Sequence, residues 1–584
     1  MENITYILIS TISVPKMKNL YFIFIFFLFF SCKPSEPVVP YSATKLAIVD
    51  SAAVVSPHPL ASAIGKKILQ EGGNAIDAAI AVQFAIAVVY PRAGNVGGGG
   101  FMVIRTKDGQ TDALDYREKA PAAADRDMYL DSLGNVDGQK SRNGHLAVGV
   151  PGTVAGMFAA HAKYGSLPME KLLTPAIELA NNGFALSETE VNRLNHFREA
   201  FEKYNDHTIP FVPEQEAWQK ADQLIQKDLA AVLTRIKENG KAGFYEGQTA
   251  KLIAAEMEKH NGLITLQDLK DYNAVWRKPI EVPYKSYKVI SMPPASSGGV
   301  ALAQLVQLVE PYALKDWGFH SKEAIHLMVE AERRVYADRA EHLGDSDYYD
   351  VPIDSLLDDS YLLERMMDYS PDSASLSNAI FAGEFSNQME SFETTHTSIM
   401  DKDGNTVSVT TTINSNYGSK VVVEGAGFFL NNEMDDFSAK PGVPNQFGLV
   451  GAEANAIQPG KRMLSSMTPT IVEKDGDVFM VLGAPGGSTI ITAVFQVFMN
   501  VVEFDMSLED AVNAGRFHHQ WLPNEIKYEK GTFSEELIAQ LKAMGHKLGE
   551  VNRMAVIKAI HKTEQGTLHA VGDPRNPDDH AVGY

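Results

Sequence analysis

A run of hydroxyl-bearing side chains stands where a polar segment gives way to a strand pattern. Residues 393–398 read Glu-Thr-Thr-His-Thr-Ser. A Thr hydroxyl is a weak nucleophile that needs an adjacent base, and the residue's own α-amine, with a pKa of about 7.7–8, can serve when the residue is an N-terminus. Nucleophilic chemistry at Thr394 would therefore require cleavage of the chain after Glu393. Taken by position alone, the run is more typical of an ordinary strand edge.

Three other segments have residue types suited to holding charge. Residues 485–488 read Pro-Gly-Gly-Ser between an apolar strand pattern and an apolar helical stretch. Such a turn can direct backbone N–H groups at one anion, although alone it is also an ordinary turn. Polar residues interrupt apolar surroundings at residues 431–437 and again at residues 464–467. Each of these two runs would pass alone as a loop.

Motifs for phosphate or metal binding are weak. The four glycines at 97–100 precede a strand pattern, whereas a P-loop needs Gly-Lys-Ser/Thr at the start of a helix. They predict a close backbone turn instead. The 16 histidines include no HExxH motif, the side chains of the adjacent His518 and His519 would diverge, and the single cysteine excludes Cys-based zinc sites and disulfide frameworks. The sequence therefore predicts neither a metal nor an organic cofactor.

The composition is that of a folded globular protein. Of 584 residues, 45% are hydrophobic and 21% are charged. Lys and Arg total 52 against 73 Asp and Glu, for a net charge of −21, which argues against nucleic acid as a partner. Length alone suggests several domains.

The N-terminal segment has the features of an export signal. Residues 20–30 are an unbroken apolar run preceded by Lys16 and Lys18, and the run is shorter than the roughly 20 residues that span a bilayer. Phe-Phe-Ser before Cys32 resembles the lipobox of bacterial lipoproteins, although Phe replaces the usual Leu and small residue. We predict a lipoprotein signal peptide over residues 1–31, lipid on Cys32, a periplasmic or cell-envelope location, and membrane contact only through the lipid. A plain signal peptide or an uncleaved anchor is the alternative, and either Met1 or Met17 could be the start.

The remaining elements indicate sheets covered by helices. A flexible tether is predicted over residues 32–44, followed by two Ala-rich helices at 59–70 and 75–89 that a Glu-Gly-Gly-Asn turn separates. Three apolar runs that bend at Lys-Asp-Gly, beginning at Phe101, His396 and Thr470, predict β-hairpins. Further helices are predicted at 321–342 and from Ser507, and an exposed loop over 358–393. This order favours packed sheets between helical layers.

Five segments together resemble the gamma-glutamyltranspeptidase family of N-terminal-nucleophile (Ntn) hydrolases. They occur in the family's order: DYREKAP around Arg117, TTHTS from Thr394, NNEMDDFSAKPGVPN from Asn431, RMLSSMTPT around Ser465, and GAPGGS around Gly486. The resemblance covers about residues 45–584. It implies an α+β fold, a four-layer αββα sandwich (the Ntn-hydrolase fold) that two subunits cut from one precursor form jointly. Cleavage between Glu393 and Thr394 would give a large subunit, 45–393, and a small catalytic subunit, 394–584, which stay together as one fold unit in place of several domains.

The resemblance also implies a role for each residue of the site. Thr394 would be the nucleophile, Thr412 would support its hydroxyl, and the N–H groups of Gly486 and Gly487 would stabilise the oxyanion. The substrate's amino-acid head would be held at both ends by opposite chemistry: its α-carboxylate by Arg117, Ser465 and Ser466, and its α-ammonium by Asn414, Glu433 and Asp436.

The activity implied is cleavage of the γ-glutamyl amide bond of glutathione and related compounds, without a cofactor, through an ester on Thr394. Water, amino acids or dipeptides would accept the group, and the balance between hydrolysis and transfer stays open. Residues 440–450 match the lid of bacterial members, with Phe447 where many have tyrosine. One alternative is a related amidase or cephalosporin acylase, against which Arg117 and Asp436 argue. Another is a catalytically inactive lipoprotein that binds amino acids, against which the intact Glu393–Thr394 pair argues.

Overall fold

A computed structural model describes residues 41–380, 394–446 and 448–584. The predicted signal peptide, the lipidation site Cys32, most of the tether, Glu393 and Phe447 lie outside these described residues. Within the described ranges, no helix is both long enough and apolar enough to cross a membrane.

The strands of the described chain form two large sheets and two small ones. In chain order they are β1 Leu46–Val49, β2 Ala53–Ser56, β3 Gly99–Arg105, β4 Thr111–Asp115, β5 Phe184–Ala185, β6 Gln223–Leu224, β7 Val275–Arg277, β8 Ile280–Tyr284, β9 Tyr287–Ser291, β10 Thr395–Met400, β11 Thr406–Thr412, β12 Thr470–Lys474, β13 Asp477–Gly483, β14 Phe517–His518, β15 Ile526–Glu529, β16 Leu548–Val551, β17 Lys558–Lys562, β18 Leu568–Gly572 and β19 His580–Gly583. Sheet I has the order β1-β18-β17-β13-β12-β9-β8, and sheet II has the order β19-β2-β10-β11-β3-β4-β7. Neighbouring strands of both are antiparallel.

The helices of the described residues are α1 Pro59–Gln70, α2 Ala75–Val89, α3 Gly138–Arg142, α4 Thr153–Tyr164, α5 Met169–Asn182, α6 Glu188–Tyr204, α7 Lys227–Asn239, α8 Ala242–Tyr245, α9 Gly247–Lys259, α10 Leu266–Lys270, α11 Gly298–Val309, α12 Leu314–Trp317, α13 Lys322–His342, α14 Ile353–Leu356, α15 Asp359–Arg365, α16 Thr489–Val502, α17 Leu508–Asn513 and α18 Glu535–Ala543. Short 3-10 helices span His145–Ala147, Glu433–Asp436 and Glu453–Asn455.

The two large sheets stack face to face, and helices cover the outer side of each. The strands β10 and β11 of sheet II contact β13 of sheet I. Helices α1, α2 and α4 pack on sheet II, and α11, α16 and α17 contact strands of sheet I. One apolar cluster joins sheet I to α11, α13 and α16, and a second joins sheet II to α1 and α2. The expected four-layer αββα sandwich is confirmed.

Local sequence signals account for the elements that carry the site. Asn74 caps α2 in a reciprocal capping box with Asp77, and every residue of α2 is buried, as its apolar pattern predicts. The three Lys-Asp-Gly segments form the hairpins β3–β4, β10–β11 and β12–β13. The first two are neighbours in sheet II through the β11–β3 pair, and the third lies in sheet I.

The prediction of an exposed loop from residue 358 is wrong for residues 359–365, which form α15. Asp358 caps this helix, because its side chain accepts hydrogen bonds from the N–H groups of Ser360 and Tyr361, and Leu362 is buried. The chain is then pinned by Trp521, whose ring N–H donates to the carbonyls of Ser377 and Ile380.

Candidate active site

Thr394 lies in the residue position before β10, at the end of the central strand pair of sheet II. It is buried, with 7% of its surface exposed. Thr395 pairs with Thr411 across the β10–β11 hairpin, so Thr394 and Thr412 are the next positions on the two strands. Both side chains line one cavity, here called the Thr394 cavity.

The structure brings the residues predicted for substrate and nucleophile together around this cavity. Its lining includes, from those predictions, Arg117, Thr394, Thr412, Asn414, Glu433, Asp436, Ser465, Ser466 and Gly487. Gly486 lines a neighbouring cavity that shares Thr394. These residues come from distant parts of the sequence, and the sandwich places them at one end of the two sheets.

Arg117 is the centre of a charged cluster in the cavity wall. Its guanidinium donates to Asp436 at 2.5 Å between Nη2 and Oδ2, and Nη1 lies 2.6 Å from Oε2 of Glu433. The carboxyl of Glu118 is 3.6 Å from Nη1. The main chain of Arg117 is held by the Tyr272 side chain, whose hydroxyl donates a hydrogen bond to the Arg117 carbonyl at 2.6 Å. Three carboxyl groups thus converge on one guanidinium.

Burial sets the electrostatics of this cluster. Burial alone would lower the pKa of Arg117, but Glu433 and Asp436 raise it above its ordinary value, so the guanidinium stays charged. Burial raises the pKa of Asp436 to about 6 and that of Glu118 to about 8, against the opposing effect of Arg117. The pKa of Glu433 is also raised by burial. The raised pKa values show that Arg117 does not fully compensate the burial of these carboxyls, so a further cation beside them would stabilise their ionised forms.

The glycines at 97–100 permit the close approach of Thr412 and Glu118. A Cβ on Gly98 would lie 2.2 Å from the carbonyl oxygen of Thr412, and one on Gly99 would lie 2.6 Å from Oε2 of Glu118. Only glycine fits at these contacts, which confirms the predicted close approach of the backbone, although Gly99 and Gly100 already belong to β3 rather than to a turn. Thr412 then accepts a hydrogen bond at Oγ1 from the N–H of Asn414 at 2.7 Å.

The carbonyls of Pro485 and Gly486, in the turn before α16, both have partners that fix the directions of the next N–H groups. The Gly486 carbonyl accepts from Thr489 Oγ1 at 2.7 Å, in the first turn of α16, and the Pro485 carbonyl accepts from Val556 N at 3.0 Å. In a trans peptide the next N–H points opposite to the carbonyl. The N–H groups of Gly487 and Gly486 therefore point away from these partners, at the positive end of the α16 dipole.

Comparison with known proteins agrees with this arrangement. Residues 61–583 match the sequence model of the family described as Gamma-glutamyltranspeptidase. The chain belongs to the gamma-glutamyltranspeptidase family. It is 47% identical over 532 residues to "Glutathione hydrolase proenzyme" of Escherichia coli K12, covering 91% of each chain. It is 44% identical over 545 residues to the protein of the same name from Pseudomonas sp. A14, covering 91% of this chain and 94% of that one.

A solved structure has the same architecture. The crystal structure of cephalosporin acylase from Bacillus halodurans superposes with a TM-score of 0.79, covering 94% of this chain and 99% of that one. At 24% identity this likeness shows the fold alone. The gamma-glutamyltranspeptidase fold therefore does not by itself separate γ-glutamyl transfer from acylase chemistry, and the cavity must do so.

Sequence reasoning missed two polar residues that line the cavity of this gamma-glutamyltranspeptidase. Arg339 is buried on α13, and its guanidinium donates to Ser466 Oγ at 3.1 Å and to Ser297 Oγ at 2.9 Å. Burial lowers its pKa to about 10. Asn445 lines the cavity from the lid segment. The sequence gives only a weak signal for Arg339. The helix α13 has acidic and basic residues on both faces, and this pattern does not show which of them are buried.

Proposed function

We propose that this gamma-glutamyltranspeptidase cuts its own chain before Thr394 and then transfers γ-glutamyl groups from glutathione and related compounds. The family and its glutathione hydrolase relatives support this activity and the division into two subunits from one precursor. The observation that carries it is the cavity itself, in which Thr394 shares one wall with a guanidinium and several carboxyls.

Thr394 is proposed as the nucleophile. Once the peptide bond after Glu393 is cut, the α-amine of Thr394 can take the proton from its own hydroxyl as Oγ1 attacks the γ-carbonyl carbon. The amine of the leaving group receives that proton, the amide bond breaks, and a γ-glutamyl ester on Thr394 remains. Water then releases glutamate, whereas an amino acid or dipeptide amine forms a new γ-glutamyl amide. Thr412 would hold the Thr394 hydroxyl from the facing strand.

The clamp for the substrate head follows from the charges. The α-carboxylate would lie against Ser465, Ser466 and the Arg117 guanidinium. The α-ammonium would lie between Asn414, Glu433 and Asp436, where it supplies the cation that the carboxyl-rich cluster favours. An acylase whose substrates lack an α-ammonium and an α-carboxylate would not need these opposite charges in its cavity. The cluster therefore favours γ-glutamyl substrates over the acylase alternative.

Gly486 and Gly487 are proposed as the oxyanion site. Gly487 lines the Thr394 cavity, and Gly486 lines the neighbouring cavity that shares Thr394. The carbonyls of the same two peptide groups point to Thr489 and Val556, so the N–H groups point elsewhere. A donor of this kind contributes about 3–4 kcal/mol to transition-state stabilisation in well-studied hydrolases.

The proposed location in the cell rests on the sequence alone. The apolar run at 20–30 and the cysteine after it support export, removal of residues 1–31 and attachment of lipid at Cys32. The enzyme would then act in the periplasm or cell envelope, held to the membrane only through that lipid.

The test uses purified protein and glutathione, with and without a dipeptide acceptor. Wild type should appear as two fragments on a denaturing gel, release glutamate, and form a γ-glutamyl dipeptide when the acceptor is present. Thr394→Ala should remain one uncut, inactive chain. Thr395→Val is the matched control, because the neighbouring hydroxyl is fully buried on β10 and lies outside the cavity lining. An active Thr394→Ala variant, or a wild type without these products, would overturn the proposal.

A further inference from the structure

We propose that a divalent transition-metal ion, of the kind zinc represents, binds beside α9 at a cluster formed by His145, Glu256, His260 and Asp206. This cluster is distinct from the Thr394 cavity, because none of its residues lines that cavity. The proposal departs from the sequence-based expectation of no metal, since these positions are too scattered to form a motif.

The ligand atoms lie close enough to share one ion. Nε2 of His145 is 2.8 Å from Oε1 of Glu256, and Nε2 of His260 is 3.6 Å from the same oxygen. The two imidazole rings stack with their centroids 4.4 Å apart. One ligand atom from each of these three residues lies within 4.8 Å of the others. Oδ1 of Asp206 is 3.7 Å from Nε2 of His260 and can complete a fourfold set.

Buried nitrogens in the cluster still have room for a partner. Nε2 of His260 is shielded from solvent and makes no hydrogen bond to any described residue. Both ring nitrogens of His207, the residue after Asp206, are also shielded from solvent and make no hydrogen bond to a described residue. Nδ1 of His207 is 3.6 Å from Oδ1 of Asp206. A buried polar atom without a partner is costly, and a metal bond would remove that cost at His260.

An ion can reach the cluster from solvent. His145, Asp206 and His260 line a surface cavity of about 400 Å³. The Glu256 carboxylate lies at the inner side of the cluster, because its side chain is only 1% exposed. Two imidazole nitrogens with carboxylate oxygens form a donor set that suits Zn²⁺ better than Mg²⁺ or Ca²⁺, which prefer oxygen alone.

A second His-Glu-His cluster in the described chain does not offer the same capacity. Nδ1 of His326 is already bonded to Nε2 of His546 at 2.8 Å, and Nε2 of His326 contacts the Ser370 carbonyl. Glu330 in that cluster is paired with Arg333 and Arg334. Two guanidinium groups already neutralise its carboxylate, so a cation has little to gain there. At the cluster beside α9, Lys259 lies 2.7 Å from Asp206, whereas the partner of Glu256 is the imidazole of His145.

The ion would tie together parts of the chain that cleavage before Thr394 separates. The four ligands belong to residues 45–393, but Oε2 of Glu256 accepts from the N–H of Glu424 at 3.2 Å. Lys259 bridges Asp206 and the Glu424 carboxylate, at 2.7 and 3.3 Å. Fixing Glu256 and Asp206 would therefore also fix the segment that carries Glu424 in the small subunit.

The test is zinc binding by full-length mature protein that carries no polyhistidine tag. After removal of metals by a chelator, equilibrium dialysis against Zn²⁺ should give one ion per chain, and added Zn²⁺ should raise Tm. His260→Gln and Asp206→Asn, both at partly exposed positions, should weaken zinc binding at least tenfold and reduce the Tm shift. His196→Gln, an exposed histidine on α6, is the matched control and should bind zinc as wild type does.

Activity on glutathione, measured in parallel, reports whether each variant is folded and keeps this test separate from that of the proposed function. Absence of a stoichiometric zinc ion in wild type would overturn the proposal. Zinc binding that stays unchanged in both active variants, or that falls equally in His196→Gln, would overturn it as well.

Discussion

Replacing Asp436 with Asn removes one negative charge from the wall of the Thr394 cavity and keeps the shape of the side chain. Oδ2 of Asp436 is 2.5 Å from Nη2 of Arg117, and the Asp436 side chain is 12% exposed. Arg117 keeps its second partner, Glu433, at 2.6 Å. The variant should therefore fold and cut before Thr394, while the substrate's α-ammonium loses a countercharge.

The size of the effect follows from burial. Two unit charges 4 Å apart attract by about 4 kcal/mol at an effective dielectric constant of 20. Truncating one partner of a buried charge pair costs about 2–5 kcal/mol in measured complexes. We therefore expect kcat/KM for a γ-glutamyl anilide to fall by roughly 30-fold to several thousand-fold.

The assay compares kcat/KM in protein that a denaturing gel shows to be fully cleaved. Asp435→Asn is the matched control, because the neighbouring carboxyl contacts Ser141 and the N–H of Gln446 and does not line the cavity. Its loss should stay below tenfold. A cleaved Asp436→Asn variant with nearly wild-type kcat/KM would refute the clamp and favour an acylase.

Three further predictions concern other parts of the mechanism. Gly486→Ala should lower kcat at least a hundredfold, because the φ of +147° at this position disfavours a side chain and the new Cβ would lie 2.6 Å from Cβ of Ala555. A wild-type kcat in steady-state kinetics would contradict the proposed role of this turn. Burial raises the pKa of Asp436 to about 6, so kcat/KM should fall as the pH drops through that value and the carboxylate takes up a proton. This inflection should be absent in Asp436→Asn, and a flat wild-type pH profile would contradict the role of the Asp436 carboxylate. Cys32→Ser should move the protein from the membrane fraction to the soluble fraction on ultracentrifugation, and soluble wild type would remove the lipid anchor from the account.

Local patterns were sufficient for elements whose signals lie within a few residues. The Glu-Gly-Gly-Asn turn before α2 and the Lys-Asp-Gly turns predict α2 and the hairpins because those signals act over three or four residues. The site residues were found through the resemblance to a family. The structure brings them to the Thr394 cavity, except Gly486, which lines the neighbouring cavity. Arg339 escaped because its contact with Ser466 joins positions 127 residues apart. The helix α15 was missed because this seven-residue segment was grouped with the polar, turn-rich stretch that follows it from Asp368.

The central claim is that Thr394 becomes an N-terminus and carries the γ-glutamyl group. The most direct measurement is the mass of the small chain, taken by mass spectrometry before and shortly after mixing with a γ-glutamyl substrate and quenching with acid. We predict a chain that begins at Thr394 and that then gains the mass of one glutamyl group on this first residue. A small chain that begins at another residue, or a glutamyl group attached elsewhere, would contradict the account.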